Sequence, residues 1–406
     1  KRLLRGILPL HFAEMCRTGS TSLMGVAIIN YLLFELGFPE GTTGVIAACF
    51  NLGFMVFAFA LGHLFEHHGR KKMLLIASVI ILACSSGYLL PINNITIWVF
   101  IVLRIVDGGM SGIFWTTVQS YATYLSHVSP GARNSYTSRY NFGWNAGIIL
   151  GTIMGYVVTF ISATNLFGFY LNILLAIVQV FLVAVMQKLP SHHANVEDDL
   201  GKSSTAISSR TLSAEELRTV KAIPIILVYA ALLTHSFTTG ALSIYVPAKA
   251  LFLGLQSYLN YLFFFAQSTA QTTSMTITGK ISERSILPAI IMIPCIIGIG
   301  WLLMGFAGNE LTITIVLVFL AVFQGILYSS GMRFLTNVSQ ARKNNKIFVY
   351  YQFIMGFGRM IGPFLFGFLV EVGLLFSIFI IAMFDFIIFT IVFISSYRRR
   401  KASIID

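Results

Sequence analysis

Twelve long apolar runs, separated by short polar turns, constrain this chain more than any other feature of it. A bilayer-spanning helix needs about 20 mostly apolar residues, and the chain of 406 residues has room for about a dozen such helices and little else. It is 56% hydrophobic and only 10% charged, whereas soluble domains average about 25% charged residues. Run length places the spans at about 8–36, 42–65, 72–91, 95–124, 134–162 and 165–188, then about 223–247, 256–279, 286–306, 310–335, 347–370 and 373–397. The expected fold class is therefore an all-α membrane protein with 12 transmembrane helices.

Charge settles the topology. The net charge of +12 is carried in loops between apolar runs, so it marks sidedness and not nucleic-acid binding. Lys1, Arg2 and Arg5, then Arg70 to Lys72, Arg133, the 189–222 stretch, Lys280 and Arg284, Arg342 to Lys346, and Arg398 to Lys401 all fall on one side. The opposite loops carry Glu35, Glu40, Glu310 and Glu371, with Lys249 as their base. A multi-pass protein of the cell membrane with both termini cytoplasmic is expected, and no cleavable leader. Cys16, Cys49, Cys84 and Cys295 lie inside apolar runs without paired spacing and read as small buried hydrophobes. Asn94-Ile95-Thr96 is a glycosylation sequon on an outer loop.

The chain divides in the middle. Residues 191–222 form its one long polar stretch, a cytoplasmic linker in which Ser213 and Glu216 mark a possible short helix, with a mobile tether as the plainer reading. Six spans precede it (1–190) and six follow (223–406), the latter ending in a basic tail. The halves repeat one another. Tyr140-Asn141-Phe142, followed by Gly147 and Gly151, matches Tyr351-Gln352-Phe353, followed by Gly358 and Gly362. Asp107-Gly108 matches Gln324-Gly325, and Gly279 to Arg284 repeats the first basic turn. A duplicated six-helix unit, giving two pseudo-symmetric bundles, accounts for these matches. Glycines 143, 147, 151 and 155 make one smooth face on the fifth span, the pattern that packs membrane helices backbone to backbone.

That first basic turn runs Gly62-His63-Leu64-Phe65-Glu66-His67-His68-Gly69-Arg70-Lys71-Lys72. It resembles the signature loop of the major facilitator superfamily, Gly-x-x-x-Asp-Arg-x-Gly-Arg-Lys-Lys, with Glu66 for Asp and His67 for Arg. Glu283 and Arg284 belong to its half-copy, and Arg104-x-x-x-Gly108 resembles the superfamily's fourth-span motif with Asp107 where Gln is common. The resemblance implies alternating access by two rocking bundles around a central site. It also implies that Gly62, Glu66, Gly69 and Arg70 form a latch, Glu66 against the start of the eleventh helix and Arg70 against backbone carbonyls. In this superfamily spans one, four, seven and ten line the central path, which makes Arg17, Arg104, Asp107 and His235 cavity candidates.

Charges within the membrane are costly and face a partner or a wet cavity. Glu14 and Arg139 each lie about a third of the way in from the cytoplasm, counted at about 1.5 Å per residue, and are expected to form a structural or gating bridge. Arg104 and Asp107 are one turn apart and can pair locally, either as a proton-coupling site or as a fixed salt bridge. Arg359 is placed either to bind an anion or to pair with Asp385. His235 is either a hydrogen-bonded core residue or a proton relay. Gln271 and Gln324 add uncharged lining, and Trp115 and Trp144 could stack on a ring or simply pack.

Phosphate loops, nucleophile elbows and metal-spaced His/Cys sets are missing, so neither an enzyme nor an ATP-driven pump is expected, and no cofactor beyond a coupling ion, H+. Deep arginines outnumber deep acids, and Arg favours carboxylates and phosphates. The reading is a secondary active transporter, working as a monomer, in which a small-molecule solute, most simply an organic anion, enters with protons. Sugar or nucleoside uptake, drug efflux, and a non-transporting receptor or scaffold on the same fold remain alternatives. Drug antiport is disfavoured because Gly147 is followed by Ile148 where such antiporters carry Gly-Pro.

Overall fold

The computed structural model describes residues 8–61, 69–92, 96–128, 130–186, 224–278, 282–342 and 346–405. Gly62, Glu66, Asn94 and the 191–222 linker lie outside the described residues. Among the described residues there are twelve long α-helices and no strand. In the first half these are α1 (Leu8–Asn30), α2 (Glu40–Leu61), α3 (Arg70–Gly87), α4 (Ile97–Val128), α5 (Pro130–Ser162) and α6 (Leu166–Val185). The second half contributes α7 (Ile225–Phe252), α8 (Leu259–Thr278), α9 (Ile286–Phe306), α10 (Glu310–Arg342), α11 (Lys346–Val372) and α12 (Leu374–Ile405).

The apolar runs locate every helix, but α4, α5, α10 and α12 extend past them at the end bearing the basic turns. In α4, α10 and α12 the sequence continues there without proline or glycine, and α5 opens on Pro130, which the first turn of a helix tolerates. Nine helices are long and apolar enough to cross a membrane on their own; α1, α3 and α8 are not. Each exception has a local cause: Glu14 and Arg17 in α1, the opening Arg70-Lys71-Lys72 of α3, and Gln267, Gln271 and several threonines in α8. Glu14, Arg17 and Gln267 are buried inside the protein, so these polar groups are kept from lipid.

Packing repeats with a period of six helices. In the first half α1 lies on α5 and α6, α2 on α4, and α3 on α4 and α6; in the second α7 lies on α11 and α12, α8 on α10, and α9 on α10 and α12. The two bundles meet along α2–α11 and α5–α8, which are themselves equivalent pairs. Glycine makes the inner seams possible. A Cβ on Gly147 would stand 2.5 Å from the Met15 carbonyl oxygen, and one on Gly362 would stand 2.7 Å from both Ala241 N and the Phe237 carbonyl oxygen. The glycine faces predicted to pack thus do so at matching places, α5 on α1 and α11 on α7. Gly155, at the far end of the row, faces Tyr261 of α8 across the interface instead.

The side-chain hydrogen bonds drawn between the halves run from the acidic end, where Glu35, Glu40, Glu310 and Glu371 lie, to mid-membrane. Asn30 Nδ2 donates to the Ser257 carbonyl at 2.8 Å and Asn30 Oδ1 accepts from Asn260 Nδ2 at 2.7 Å. Asn165 donates to Ser257 Oγ at 3.2 Å and accepts from Tyr261 OH at 3.2 Å. The Gly41 amide donates to Glu371 Oε1 at 2.7 Å. Deeper in, Asn51 Nδ2 donates to the Arg359 carbonyl at 3.2 Å and Thr272 Oγ1 to Asn145 Oδ1 at 2.9 Å. A π-helical turn, Tyr31–Glu35, ends α1 and sets Glu35 on the α5–α6 turn, where it accepts from the Asn165 amide at 2.5 Å and from Thr164 Oγ1 at 2.7 Å.

Candidate functional site

In the first half Arg17 and Asp107 pair across helices, although the Nε atoms of Arg17 and Arg104 are buried without a partner. Arg17 of α1, 1% exposed, reaches across to α4, where Nη2 lies 2.5 Å from Asp107 Oδ1 and also donates to Ser111 Oγ. Its Nη1 donates to Ser20 Oγ at 3.4 Å, and Ser20 in turn donates to Asn172 of α6. The other carboxylate oxygen of Asp107 accepts from Tyr88 OH at 2.9 Å. Arg104 stands 3.8 Å from that same oxygen, with its guanidinium 4.7 Å from the centre of the Phe50 ring. The local pair expected between Arg104 and Asp107 is thus the weaker contact. The i,i+3 spacing leaves Arg104 facing the α2 aromatics, and Asp107 turns to an arginine from another helix.

Glu14 and Arg139 are not brought together. Glu14 is fully buried and takes His11 Nδ1 at 3.1 Å, whereas Arg139 is exposed. Depth along the helices is similar for the two, and α5 does present this face to α1 at Gly143, where a Cβ would stand 3.5 Å from Glu14 Oε2, but Arg139, one turn earlier, is exposed.

The second half is built differently. His235 of α7 and Gln324 of α10 are both 0% exposed, yet neither ring nitrogen of His235 and neither amide atom of Gln324 has a hydrogen-bond partner. Arg359 of α11 is half-buried, and its buried Nε is also without a partner. Asp385 of α12 does not pair with Arg359; it is fully buried with both oxygens unpartnered. Arg359 stands within electrostatic reach of His235 and of Tyr351. The Tyr328 ring lies 5.5 Å from His235 and 6.4 Å from Tyr351. Gln271 is half-buried on α8, where its carbonyl accepts from Ser274 at 2.9 Å.

Aromatic rings close the site from the first half. Trp115 and Trp144 stand 4.4 Å apart, with Tyr140 6.0 Å and 6.2 Å from them. Tyr140 lies within electrostatic reach of Tyr328, Tyr351 and Glu14. Tyr140 and Tyr351 are the repeat-equivalent residues of the two halves, so the duplication brings them to the shared interface. That equivalence was visible in the sequence; their meeting needed the fold.

At the basic end, Arg70 donates through Nε to Ser120 Oγ at 3.0 Å and lies 6.0 Å from the centre of the Tyr121 ring. Beside it, Lys71 donates to the Ala184 and Met186 carbonyls at 2.7 and 2.5 Å and so caps the end of α6. Gly69, at φ +83°, supplies the backbone turn before α3. Arg284 is exposed beside a 3₁₀ turn, Glu283–Ser285. At the acidic end Lys249 belongs to the last turn of α7 and not to a loop; it is 7% exposed and donates to the Gly305 carbonyl at 3.2 Å. The four cysteines are free.

The profile of the Major Facilitator Superfamily matches residues 10–363. The chain belongs to this superfamily. Solved structures similar to this superfamily member include a POT family transporter in complex with a thioalcohol-conjugated peptide (TM-score 0.72, 12% identity, 97% of this chain and 96% of that one). Another is the xylose transporter XylE from E. coli in a partially occluded inward open conformation (TM-score 0.71, 14% identity, 96% and 97%). At these identities the likeness shows the fold. A curated relative, the class H tetracycline resistance protein of Pasteurella multocida, is 31% identical over 121 residues, 30% of this chain. The alignment spans 28% of the length of that relative. Membership places it among the multi-pass membrane proteins of a transporter superfamily.

Proposed function

We propose that this protein carries a small organic anion across the cell membrane by alternating access, together with protons. The observation that carries the reading is the polar site at mid-membrane between two pseudo-symmetric halves. His235, Gln324 and Arg359 hold unpartnered polar atoms on one side, and an aromatic wall faces them from the other. Fully buried polar atoms without partners are costly in a finished core, and a solute is the natural source of partners in a transporter. Bonding from the acidic end to mid-membrane fits a conformation closed on that side, with the basic, cytoplasmic end as the route of release.

Asp107 is the coupling acid in this reading, with Arg17 rather than Arg104 as its main counter-charge. A proton on Asp107 removes the ion pair between α1 and α4, frees Arg17 and so alters how α1 lies in its bundle. Tyr88 and Arg104 complete the surroundings of the carboxylate. The protein works as a monomer, with both termini in the cytoplasm.

The test is uptake and counterflow in proteoliposomes with carboxylates, phosphates and sugars, with and without a pH gradient. Acceleration of one anion by an inward proton gradient is expected. Silence across the panel counts against transport, and Asp107→Asn that still accumulates solute uphill overturns the coupling role. Efflux of a drug is the second reading, favoured by the local match to the tetracycline resistance protein; tetracycline extrusion from inverted vesicles decides between them.

A further inference from the structure

We infer that the anionic group of the solute docks on Arg359 in the second half, not on the arginines of the first, and that the solute's body is a planar ring lying against Trp144 and Tyr140. This rests on the transporter reading above and specifies its substrate class as an aryl carboxylate.

The argument begins with which deep cation has charge to spare. Arg17 is committed to Asp107, Ser111 and Ser20. Arg104 shares Asp107 and covers its guanidinium with the Phe50 ring. Among the described residues Arg359 makes no ion pair, and Asp385, the remaining deep carboxylate of the second half, does not pair with it. Arg359 is half-buried, and its backbone lies against Gly240 of α7 and Asn51 of α2. A planar guanidinium in such a place is suited to a carboxylate, which it binds through two parallel hydrogen bonds.

The neighbouring groups fit the same ligand. Gln324, fully buried, keeps its side-chain amide donors unused beside His235, which stands within electrostatic reach of Arg359. Neither adds negative charge. On the facing side, Trp144 and Tyr140 are half-buried and stand 6.2 Å apart, and Tyr140 lies within electrostatic reach of both second-half tyrosines. A flat apolar body between them exchanges water for ring contact. The site is also wired to the seam between the halves, since Asn51 of α2 holds the Arg359 carbonyl at 3.2 Å from the opposite bundle.

The experiment is a titration of the purified full-length chain in nanodiscs with benzoate, benzamide, cyclohexanecarboxylate and inorganic phosphate, followed by tryptophan fluorescence and thermal shift. Benzoate should quench fluorescence and raise Tm, cyclohexanecarboxylate should bind more weakly, and benzamide, which lacks the charge, should bind on the order of 30-fold more weakly or less. Arg359→Gln should weaken benzoate by a similar factor, on the order of 30-fold or more. Arg139→Gln should leave it unchanged, and Trp144→Phe should remove most of the quenching while binding persists by thermal shift. Should Arg359→Gln fail to fold, Arg359→Lys keeps the charge without the fork and is expected to fall between the two. Benzamide binding as well as benzoate, benzoate binding surviving Arg359→Gln, or no binding by either carboxylate overturns the inference. Counterflow of a neutral solute in the same preparation would then leave the transporter reading standing, whereas silence to every solute in the proteoliposome panel is what removes that reading.

Discussion

Asn30→Ala isolates the joint between the halves. The Asn30 side chain makes two bonds to the second half, at 2.8 Å to the Ser257 carbonyl and 2.7 Å from Asn260, and one long bond within its own half, at 3.3 Å to Asn165. A net contribution of about 0.5–1.5 kcal/mol per hydrogen bond makes the two crossing bonds worth about 1–3 kcal/mol, a shift of about 5–150-fold in the closed-to-open ratio. A protein closed about 99:1 at the acidic end would become about 95:5 to 40:60. Ser257→Ala is the internal control. It deletes the hydroxyl that Asn165 reaches at 3.2 Å but leaves the carbonyl that Asn30 uses, so its effect should be about half as large in free energy or less. Spin labels at the exposed Ile161 and Gln256, one in each half, report the opening by electron–electron double resonance in nanodiscs. A longer-distance population should appear with Asn30→Ala and be smaller with Ser257→Ala. Identical distance distributions in all three folded proteins would refute the assignment of these asparagines as the closing contact.

Other substitutions test the packing and the charges. Arg17→Met leaves the Asp107 carboxylate buried without its main partner and should cost about 3–5 kcal/mol, read as a lower midpoint of thermal unfolding; Arg17→Met with Asp107→Leu should recover much of that loss, and no recovery would refute a mutual pair. Gly151→Val drives side-chain carbon into α1, where even a Cβ would stand 2.8 Å from Gly19 Cα, and overpacking of about 1–3 kcal/mol or more should reduce the monodisperse fraction in size-exclusion chromatography. Gly25→Ala, with nothing within 4 Å of the new Cβ, should be neutral in the same assay. Lys71→Met removes two carbonyl contacts at the end of α6 and should raise amide exchange in residues 182–186 without changing solute binding.

The helices were legible because bilayer thickness and apolar run length are one-dimensional constraints, and both survive in a linear sequence. The glycine seam of α5 was legible for a similar reason: a four-residue repeat stays on one helical face whatever it packs against. Side-chain partnership was not legible in the same way. Asp107 has Arg104 three residues away, and local spacing alone favours that pair; the choice of Arg17 depends on the rotation of α1 about its own axis, which no local pattern encodes. Glu14 and Arg139 were matched on depth alone, and depth does not encode that His11, one turn away, meets Glu14. Arg70 and Lys71 are neighbours in the basic turn, and which of them would cap α6 depended on a reach of a few ångströms between helices.

The two halves share a packing plan but divide its chemistry, and that asymmetry bears on mechanism. At equivalent positions beside glycine, α4 carries Asp107 and α10 carries Gln324. The first sits in a satisfied network of charge and hydroxyl groups; the second is buried with its amide unpartnered. Asp107 with its partners is one proton-sensitive contact, whereas the unpartnered amide of Gln324 gains order only when something fills it. A ligand bound mainly by the second half therefore changes the energy of that half more than the first, and the seam that feels it is α2–α11, where Asn51 grips the Arg359 carbonyl. Asn51→Ala should then leave benzoate affinity within about threefold, because it touches no ligand atom, yet reduce the ligand's effect on the Ile161–Gln256 distance. If Asn51→Ala left the distance response to benzoate unchanged, the two events would be connected by some route other than this contact.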